Sequence, residues 1–319
     1  MDIVHYSVLM DEVLGFLKPS APDQLLVDGT MGEGGHSNMF LTNFPTMKVI
    51  GIDADHVIQG VAKERLAPFG DRVNFENTWF NEFFENFDNY NYERPDRILL
   101  DLGISVFHYE KSGRGFTFQK NEPLDMRLNP NTVESARDIV NTYDETTLAN
   151  LIYDFSDEKL SRKIARKICA QREIKPIETT DELAYIVRGC FAPDKRHGKT
   201  HPATRTFQAL RIAVNSELYR LDRVLEDALR ILKPGGRFGI ITFHSLEDRA
   251  VKRFFQDRAK KCICPDNYPR CLCGGKPEVK RLTKKPIGPT EEEIKLNPPS
   301  RSAKLRVIEK LTEAREVMG

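Results

Sequence analysis

Four glycines within Asp28-Gly29-Thr30-Met31-Gly32-Glu33-Gly34-Gly35-His36 join an apolar run to a helical pattern. Glycine lets the backbone approach a ligand and take positive φ without steric cost. A dinucleotide loop reads G-x-G-x-x-G, but counting from Gly32 and Gly34 places Ser37 at the last glycine, so that fingerprint fails. The phosphate-loop pattern fails too, because no Gly-Lys-Ser or Gly-Lys-Thr is present. Asp53 ends the next apolar run, 19 residues after Gly34, where a carboxylate can accept hydrogen bonds from both ribose hydroxyls of an adenosine. Asp28 and Asp101 end two further runs, so three acids fall on the edge where open α/β sheets bind ligands. Acids there repel a pyrophosphate and suit a positively charged ligand. S-adenosylmethionine, with a sulfonium, an ammonium and no phosphate, fits better than NAD.

Two further groups carry possible chemistry. His244 and Glu247 follow a later apolar run on the same edge and could contact a substrate or remove a proton. Equally, Glu247 and Asp248 could cap and charge the next helix, with His244 a satisfied bystander. Cys262, Cys264, Cys271 and Cys273 form two Cys-x-Cys pairs. Four thiolates in one short loop could hold a structural, tetrahedral zinc, although the spacing is tighter than in ordinary zinc fingers. Cys169 and Cys190 stand alone in helical patterns and read as buried thiols.

The elements that must position these groups are legible in outline. Leu25–Asp28, Lys48–Asp53, Val73–Phe75 and Ile98–Asp101 read as short apolar strands separated by helices, the mark of a parallel sheet covered on both faces. From 105 to 215 the pattern is helical. Ser156, followed by Asp157 and Glu158, reads as a helix N-cap, and Leu160, Ile164 and Ile168 as the apolar stripe beyond it. Arg162, Lys163, Arg166 and Lys167 occupy the other faces and read as a solvated surface. After Pro202, Phe207, Leu210, Val214 and Leu218 form one helical stripe. Thr204, Gln208, Arg211 and Asn215 form a second, suited to phosphate or base contacts or to internal hydrogen bonding. Leu221, Leu225, Leu229 and Leu232 mark a helix stopped by Pro234-Gly235-Gly236, Arg237–Phe243 the next strand, and Leu305–Ile308 a last edge strand.

Composition bounds the class. With 319 residues, 40% hydrophobic and 30% charged, the chain can build a sizeable core and is not disordered overall. No apolar run reaches the ~18 residues of a membrane span, and the start lacks a secretory pattern, so a cytoplasmic location is expected. The net charge of +1 conceals −11 over residues 1–110 and +9 over 249–285, which permits a polyanionic partner.

Eight ordered motifs then resemble one family over nearly the whole chain: the ribosomal RNA small-subunit methyltransferase H family. They are His5–Leu9, Asp28–Ser37, Leu100–Ser105, Arg114–Phe118, Pro123–Arg127, His201–Ala209, Phe243–Arg249 and Arg301–Arg306. The resemblance implies a class I S-adenosylmethionine-dependent fold, Rossmann-like with a mostly parallel sheet. A helical substrate-recognition domain at 105–215 would interrupt a methyltransferase domain at 1–104 and 216–319. It implies methylation of cytosine N4 in 16S ribosomal RNA, on a partly assembled small subunit, with no membrane and with a homodimer allowed. Cofactor contacts are implied at Gly34, Gly35, His36, Asp53, Phe80 and Asp101. They are implied also at His108, where the family commonly has glutamine.

For that reaction Asp101 and Ser105 would accept hydrogen bonds from the amine and favour the developing positive charge, with His244 a further candidate. Arg114, Arg127 and Arg205 are candidates for RNA contact. Leu102-Gly103-Ile104 replaces the Pro-Pro-aromatic sequence of many DNA amino-methyltransferases, which weighs against a general DNA enzyme. Two rivals remain: an assembly factor that binds RNA and cofactor without turnover as its purpose, and an NAD-dependent oxidoreductase.

Overall fold

The computed structural model describes residues 7–196, 201–262, 264 and 275–311. Seven strands run β1 Leu25–Asp28, β2 Lys48–Ile52, β3 Val73–Glu76, β4 Arg97–Asp101, β5 Arg237–Thr242, β6 Val279–Arg281 and β7 Lys304–Lys310. The helices are α1 Met10–Leu17, α2 Gly35–Asn43, α3 His56–Leu66, α4 Phe80–Glu85, α5 Val106–Glu110, α6 Ala136–Thr142, α7 Glu145–Ser156, α8 Ser161–Arg172, α9 Thr180–Gly189, α10 Thr204–Val214, α11 Glu217–Ile231, α12 Ser245–Arg258 and α13 Glu291–Leu296. The chain divides into two compact units, one through Gly103 and again from Tyr219, the other Ile104–Leu218.

The first unit is a single sheet in the order β3-β2-β1-β4-β5-β7-β6. β1 to β5 are mutually parallel, while β7 runs antiparallel to both β5 and β6. This is a Rossmann-like, mostly parallel architecture. Alternation along each strand sends side chains to opposite faces. Val27, Ile98, Leu100, Phe238 and Ile240 thus join one apolar core, and Leu26, Leu99, Ile241, Leu305 and Val307 the other. β1, β2, β4 and β5 are buried on both sides, which is why they read as near-continuous apolar runs. Two buried cations close helix ends: Arg97 donates to the carbonyls of Leu17 and Lys18 after α1, and Lys310 to that of Leu232 after α11. A cation at a helix C-terminus satisfies unpaired carbonyls and opposes the helix dipole.

One expectation about this unit is corrected. Leu305–Ile308 is not an edge strand: β7 lies between β5 and β6, and the unforeseen β6 is the edge. A three-residue strand with one buried position carries too little pattern to be read from sequence.

The second unit packs its helices around Leu148, Ile152, Ile164, Ile168, Leu183, Val187, Phe207 and Leu210. Here two helix boundaries differ from expectation. Ser156 ends α7 instead of capping the next helix: its hydroxyl donates to the Ile152 carbonyl at 2.6 Å, and Asp157 turns left-handed at φ 53°. The apolar stripe of Leu148 and Ile152 carries α7 through this point, and α8 starts only at Ser161. The stripe after Pro202 also breaks early. α10 ends at Val214, Ser216 takes φ 51°, and Leu218 belongs to α11.

Candidate active site

The loop after β1 wraps the carboxyl edge of the sheet. Gly34 stands at φ 76° as the residue before α2, a conformation costly for any side chain. A Cβ on Gly35 would run into Ser7 Oγ, so this turn needs both glycines. The Asp53 carboxylate holds the loop: Oδ2 accepts from the Gly32 amide at 2.9 Å and Oδ1 from the Asp55 amide at 2.8 Å. The Asn77 side chain donates to the Asp53 carbonyl at 2.8 Å and fixes its backbone.

Asp28 is buried at the end of β1. Ser37 Oγ donates to its Oδ2 at 2.6 Å, while Oδ1 has no well-formed hydrogen bond among the described residues. Ser37 is thus the residue that spoils the dinucleotide fingerprint and the one that orients a carboxylate. Burial pushes Asp28 up to about 6; the Ser37 bond opposes this and the charge of Asp53 adds to it.

Asp101 closes β4, one strand over. Its amide donates to Thr30 Oγ1 at 2.6 Å, tying β4 to the glycine loop, and its Oδ1 accepts from the Gly103 amide at 3.4 Å. Burial raises its pKa to about 7, with the charges of Asp28 and Glu247 adding. The side chain stays 16% exposed, so a ligand can reach it. His36, in the first turn of α2, donates from Nε2 to the Val8 carbonyl at 2.9 Å and places Nδ1 3.8 Å from Asp101 Oδ2. An uncharged cofactor is poorly served by such a site. Two carboxyls whose ionised form burial makes costly fit one bearing an ammonium and a sulfonium.

Phe80 opens α4 after β3, half-buried and therefore able to offer a ring to an adenine. Its neighbours are pinned: the Arg220 guanidinium lies 3.7 Å from the Trp79 ring centroid and donates to Asn81 Oδ1 at 2.8 Å. Sequence reasoning missed this clamp, and also Thr30, Ser37 and Asn77. Thr30 and Ser37 sit in the glycine segment, where every polar residue is a candidate; Arg220 is 140 residues from its partners and gives no local signal.

His244 is the residue before α12. Its Nδ1 accepts from the Glu247 amide at 3.4 Å, and the Glu247 carboxylate accepts from the His244 and Phe243 amides at 3.2 and 2.8 Å. His244 Nε2 lies 3.0 Å from Glu247 Oε1. This is a reciprocal capping box. The sheet thus gathers Gly34, Gly35, His36, Asp53, Phe80, Asp101 and His244 on the first unit.

Ser105 and His108 belong to the second unit. Ser105 caps α5, accepting from the Phe107 amide at 3.2 Å, and the His108 ring is buried against Phe116. In the same unit, several candidate RNA contacts are committed internally. Arg114 donates to the carbonyls of Arg127 and Leu128, and Arg127 forms a two-pronged pair with Asp125. Arg211 does the same with Glu217, and buried Asn215 bonds the backbone at Met126 and Leu128. Arg205 stays exposed, 4.0 Å from Glu158. Of the paired cysteines, Cys262 is exposed and Cys264 half-buried, while Cys271 and Cys273 lie outside the described residues. Cys190 is buried, Cys169 half-buried, and burial pushes both thiols up. Among the described residues no helix is long and apolar enough to cross a membrane.

A family model described as the MraW methylase family matches residues 2–311. The chain belongs to that family. Curated relatives within it agree in name over nearly their full length. A protein of Treponema denticola named ribosomal RNA small subunit methyltransferase H is 56% identical over 311 residues, 98% of each chain. One of the same name from Borrelia turicatae is 47% identical over 315 residues, covering 98% of this chain and 99% of that one. A third, from Geotalea uraniireducens, is 44% identical over 311 residues, covering 97% and 99%.

Proposed function

We propose that this chain methylates the N4 amine of one cytidine in 16S ribosomal RNA of the small subunit, in the cytoplasm, with S-adenosylmethionine as methyl donor. The observation that carries the reading is the carboxyl edge of the sheet: three acids around a glycine turn, in a methylase whose relatives are named for small-subunit ribosomal RNA. Bound there, the cofactor supplies an electrophilic methyl on sulfur. Asp53 keeps the glycine loop closed and would hold the ribose. Gly34 and Gly35 would let the backbone come close, Phe80 would offer a face to the adenine, and the charge of Asp28 would favour the cationic end of the cofactor.

An exocyclic cytosine amine is a poor nucleophile because its lone pair is drawn into the ring. The protein must align it with the methyl carbon and sulfur, and hold the hydrogens of a nitrogen becoming positive. Asp101 accepts a hydrogen bond from that amine and takes its proton as the methyl arrives. A carboxyl with pKa about 7 suits this task, since near neutral pH it is basic enough to accept the proton and still substantially ionised. Ser105 offers its O–H to the base while its oxygen caps α5. His244 acts by holding Glu247, whose charge sustains the basicity of Asp101. His108 is a further cofactor contact implied by the family resemblance, and the helical unit reads the RNA. Because the amine must leave any base pair, the cytidine is taken unstacked. Cys262, Cys264, Cys271 and Cys273 would together supply the four thiolates of one structural zinc, which metal analysis of the purified protein checks.

The test is incubation with labelled S-adenosylmethionine and small subunits from cells lacking the gene, followed by mass spectrometry of digested RNA. N4-methylcytidine at one position is the expected product. Cofactor binding without methyl transfer would favour the assembly-factor reading instead.

A further inference from the structure

The helical unit carries a block of positive charge that methyl transfer does not use. α8 holds Arg162, Lys163, Arg166, Lys167 and Arg172 and no acid among its 12 residues. The two exposed rows keep different company. Arg162 and Arg166 lean over α7, Arg162 donating to Asn150 Oδ1 at 2.7 Å and Arg166 lying 3.5 Å from Glu145. Lys163 and Lys167 instead face the end of α9, where Lys163 Nζ donates to the Cys190 carbonyl at 2.7 Å and both charges act on the Cys190 thiol. The turn that follows adds Arg196, whose Nε donates to the Phe191 carbonyl at 2.9 Å. Arg188, exposed on α9, extends the same surface toward His201, whose imidazole is depressed first by burial and then by that guanidinium.

The acceptors decide what this surface can do. A carbonyl fixes the direction of a cation without cancelling its charge, whereas a carboxylate cancels it. Among the described residues no carboxylate pairs with Lys163, Lys167, Arg188 or Arg196. Asp194 is the single acid between Cys190 and Arg196. The field is therefore oriented and left uncompensated, as a polyanion requires.

We propose that Lys163, Lys167, Arg188 and Arg196 form a phosphate-binding strip that takes the backbone of the substrate RNA; this rests on the RNA-methylating reading above. Phosphate contacts of this kind fix register and affinity and leave base choice to other groups.

The full chain is tested for binding to a 16S ribosomal RNA transcript between roughly 50 and 200 mM salt. Compared are wild type, the triple variant K163Q/K167Q/R196Q, the single variant Lys167→Gln and the double variant R162Q/R166Q. Each lost phosphate contact lowers the slope of log affinity against log salt by about 0.7–0.9. The triple variant is expected to lose about 2–3 from the slope and at least tenfold in affinity at the low-salt end, with S-adenosylmethionine affinity unchanged. Lys167→Gln, which removes no hydrogen bond among the described residues, should lose about one such step and keeps the test valid if the triple variant folds poorly. Wild-type slope and affinity in a folded, cofactor-binding Lys167→Gln and triple variant would overturn the strip alone. A larger loss from R162Q/R166Q would overturn it as well, since the row beside Glu145 would then be the RNA contact. A wild-type chain that binds cofactor but neither this transcript nor small subunits from cells lacking the gene would overturn the substrate reading, and the strip with it.

Discussion

His36 and Asp101 face each other across the carboxyl edge of the sheet, Nδ1 3.8 Å from Oδ2. The relationship is set from behind, because His36 Nε2 must donate its hydrogen to the Val8 carbonyl. An uncharged His36 ring therefore turns a lone pair toward the Asp101 carboxyl, and an ionised carboxylate there is repelled. One proton between them relieves that repulsion. Burial, with the charges of Asp28 and Glu247 adding, raises the Asp101 pKa to about 7.

Replacing Asp101 by Asn should separate activity from stability. Methyl transfer is expected to fall by about 10²–10⁴, the usual contribution of a positioned acid–base group. The cofactor-free protein should become more stable at neutral pH by about 1–3 kcal/mol, because a buried charge has been removed. Single-turnover kinetics and chemical denaturation on one preparation check both directions. A variant that is both inactive and less stable would contradict the account of the raised pKa.

The pH dependence of cofactor-free stability has a definite sign. Asp28 and Asp101 titrate near 6 and 7 in the folded chain and near 3.8 when unfolded. Between these limits the folded state holds protons that the unfolded state has lost, so these groups make stability fall as pH rises from about 4 to about 7. Their cost is complete above that range. Melting temperatures measured across it, for wild type and Asp101→Asn, should show the shallower decline in the variant.

Cofactor affinity should move the opposite way. A cationic ligand prefers ionised carboxyls, so binding tightens as pH rises from about 5.5 to about 7.5 and expels protons in the lower part of that range. Calorimetry in two buffers of different ionisation enthalpy counts the protons. Asp53→Ala should weaken binding by about 1–3 kcal/mol through lost charge-assisted hydrogen bonds; unchanged affinity would remove Asp53 from the site.

The Trp79–Arg220 contact offers a test of positioning at a distance from the acids. Arg220→Ala removes a cation–π contact and the bond to Asn81, and should raise KM for the cofactor while leaving kcat within about twofold. Arg220→Lys retains the charge over the ring but not the planar fork, and should recover part of the loss. Equal falls in kcat for both variants would argue against a role confined to holding Phe80.

His244→Ala tests the capping box. Loss of an N-cap costs about 1 kcal/mol of stability, and methyl transfer should fall far less than in Asp101→Asn. A deficit in turnover matching Asp101→Asn, at unchanged RNA and cofactor affinity, would make His244 a catalytic residue in its own right.

Much of the sheet is legible because β1, β2, β4 and β5 are buried on both faces, and continuous burial writes a continuous apolar run. β6 is not legible, and neither is the interior place of β7, since strand order depends on contacts far apart in the chain. The boundary at Ser156 misreads for a related reason: a serine before two acids looks like a helix start, but packing of Leu148 and Ile152 ends a helix there instead.

The sequence by itself determined which residue types are available: a glycine turn, three strand-ending acids, a cation-rich helix and the motifs of a methylase family. Those signals are local or nearly so, and survive reading along the chain. Only the tertiary structure decided how each group behaves. It set Asp101 near neutrality by burying it among like charges, used Ser37 to hold Asp28, and closed a capping box around His244. It paired Arg211 with a carboxylate and Lys163 with a carbonyl. Desolvation and hydrogen-bond partnership are properties of what surrounds an atom, and those surroundings come from segments that sequence order keeps apart.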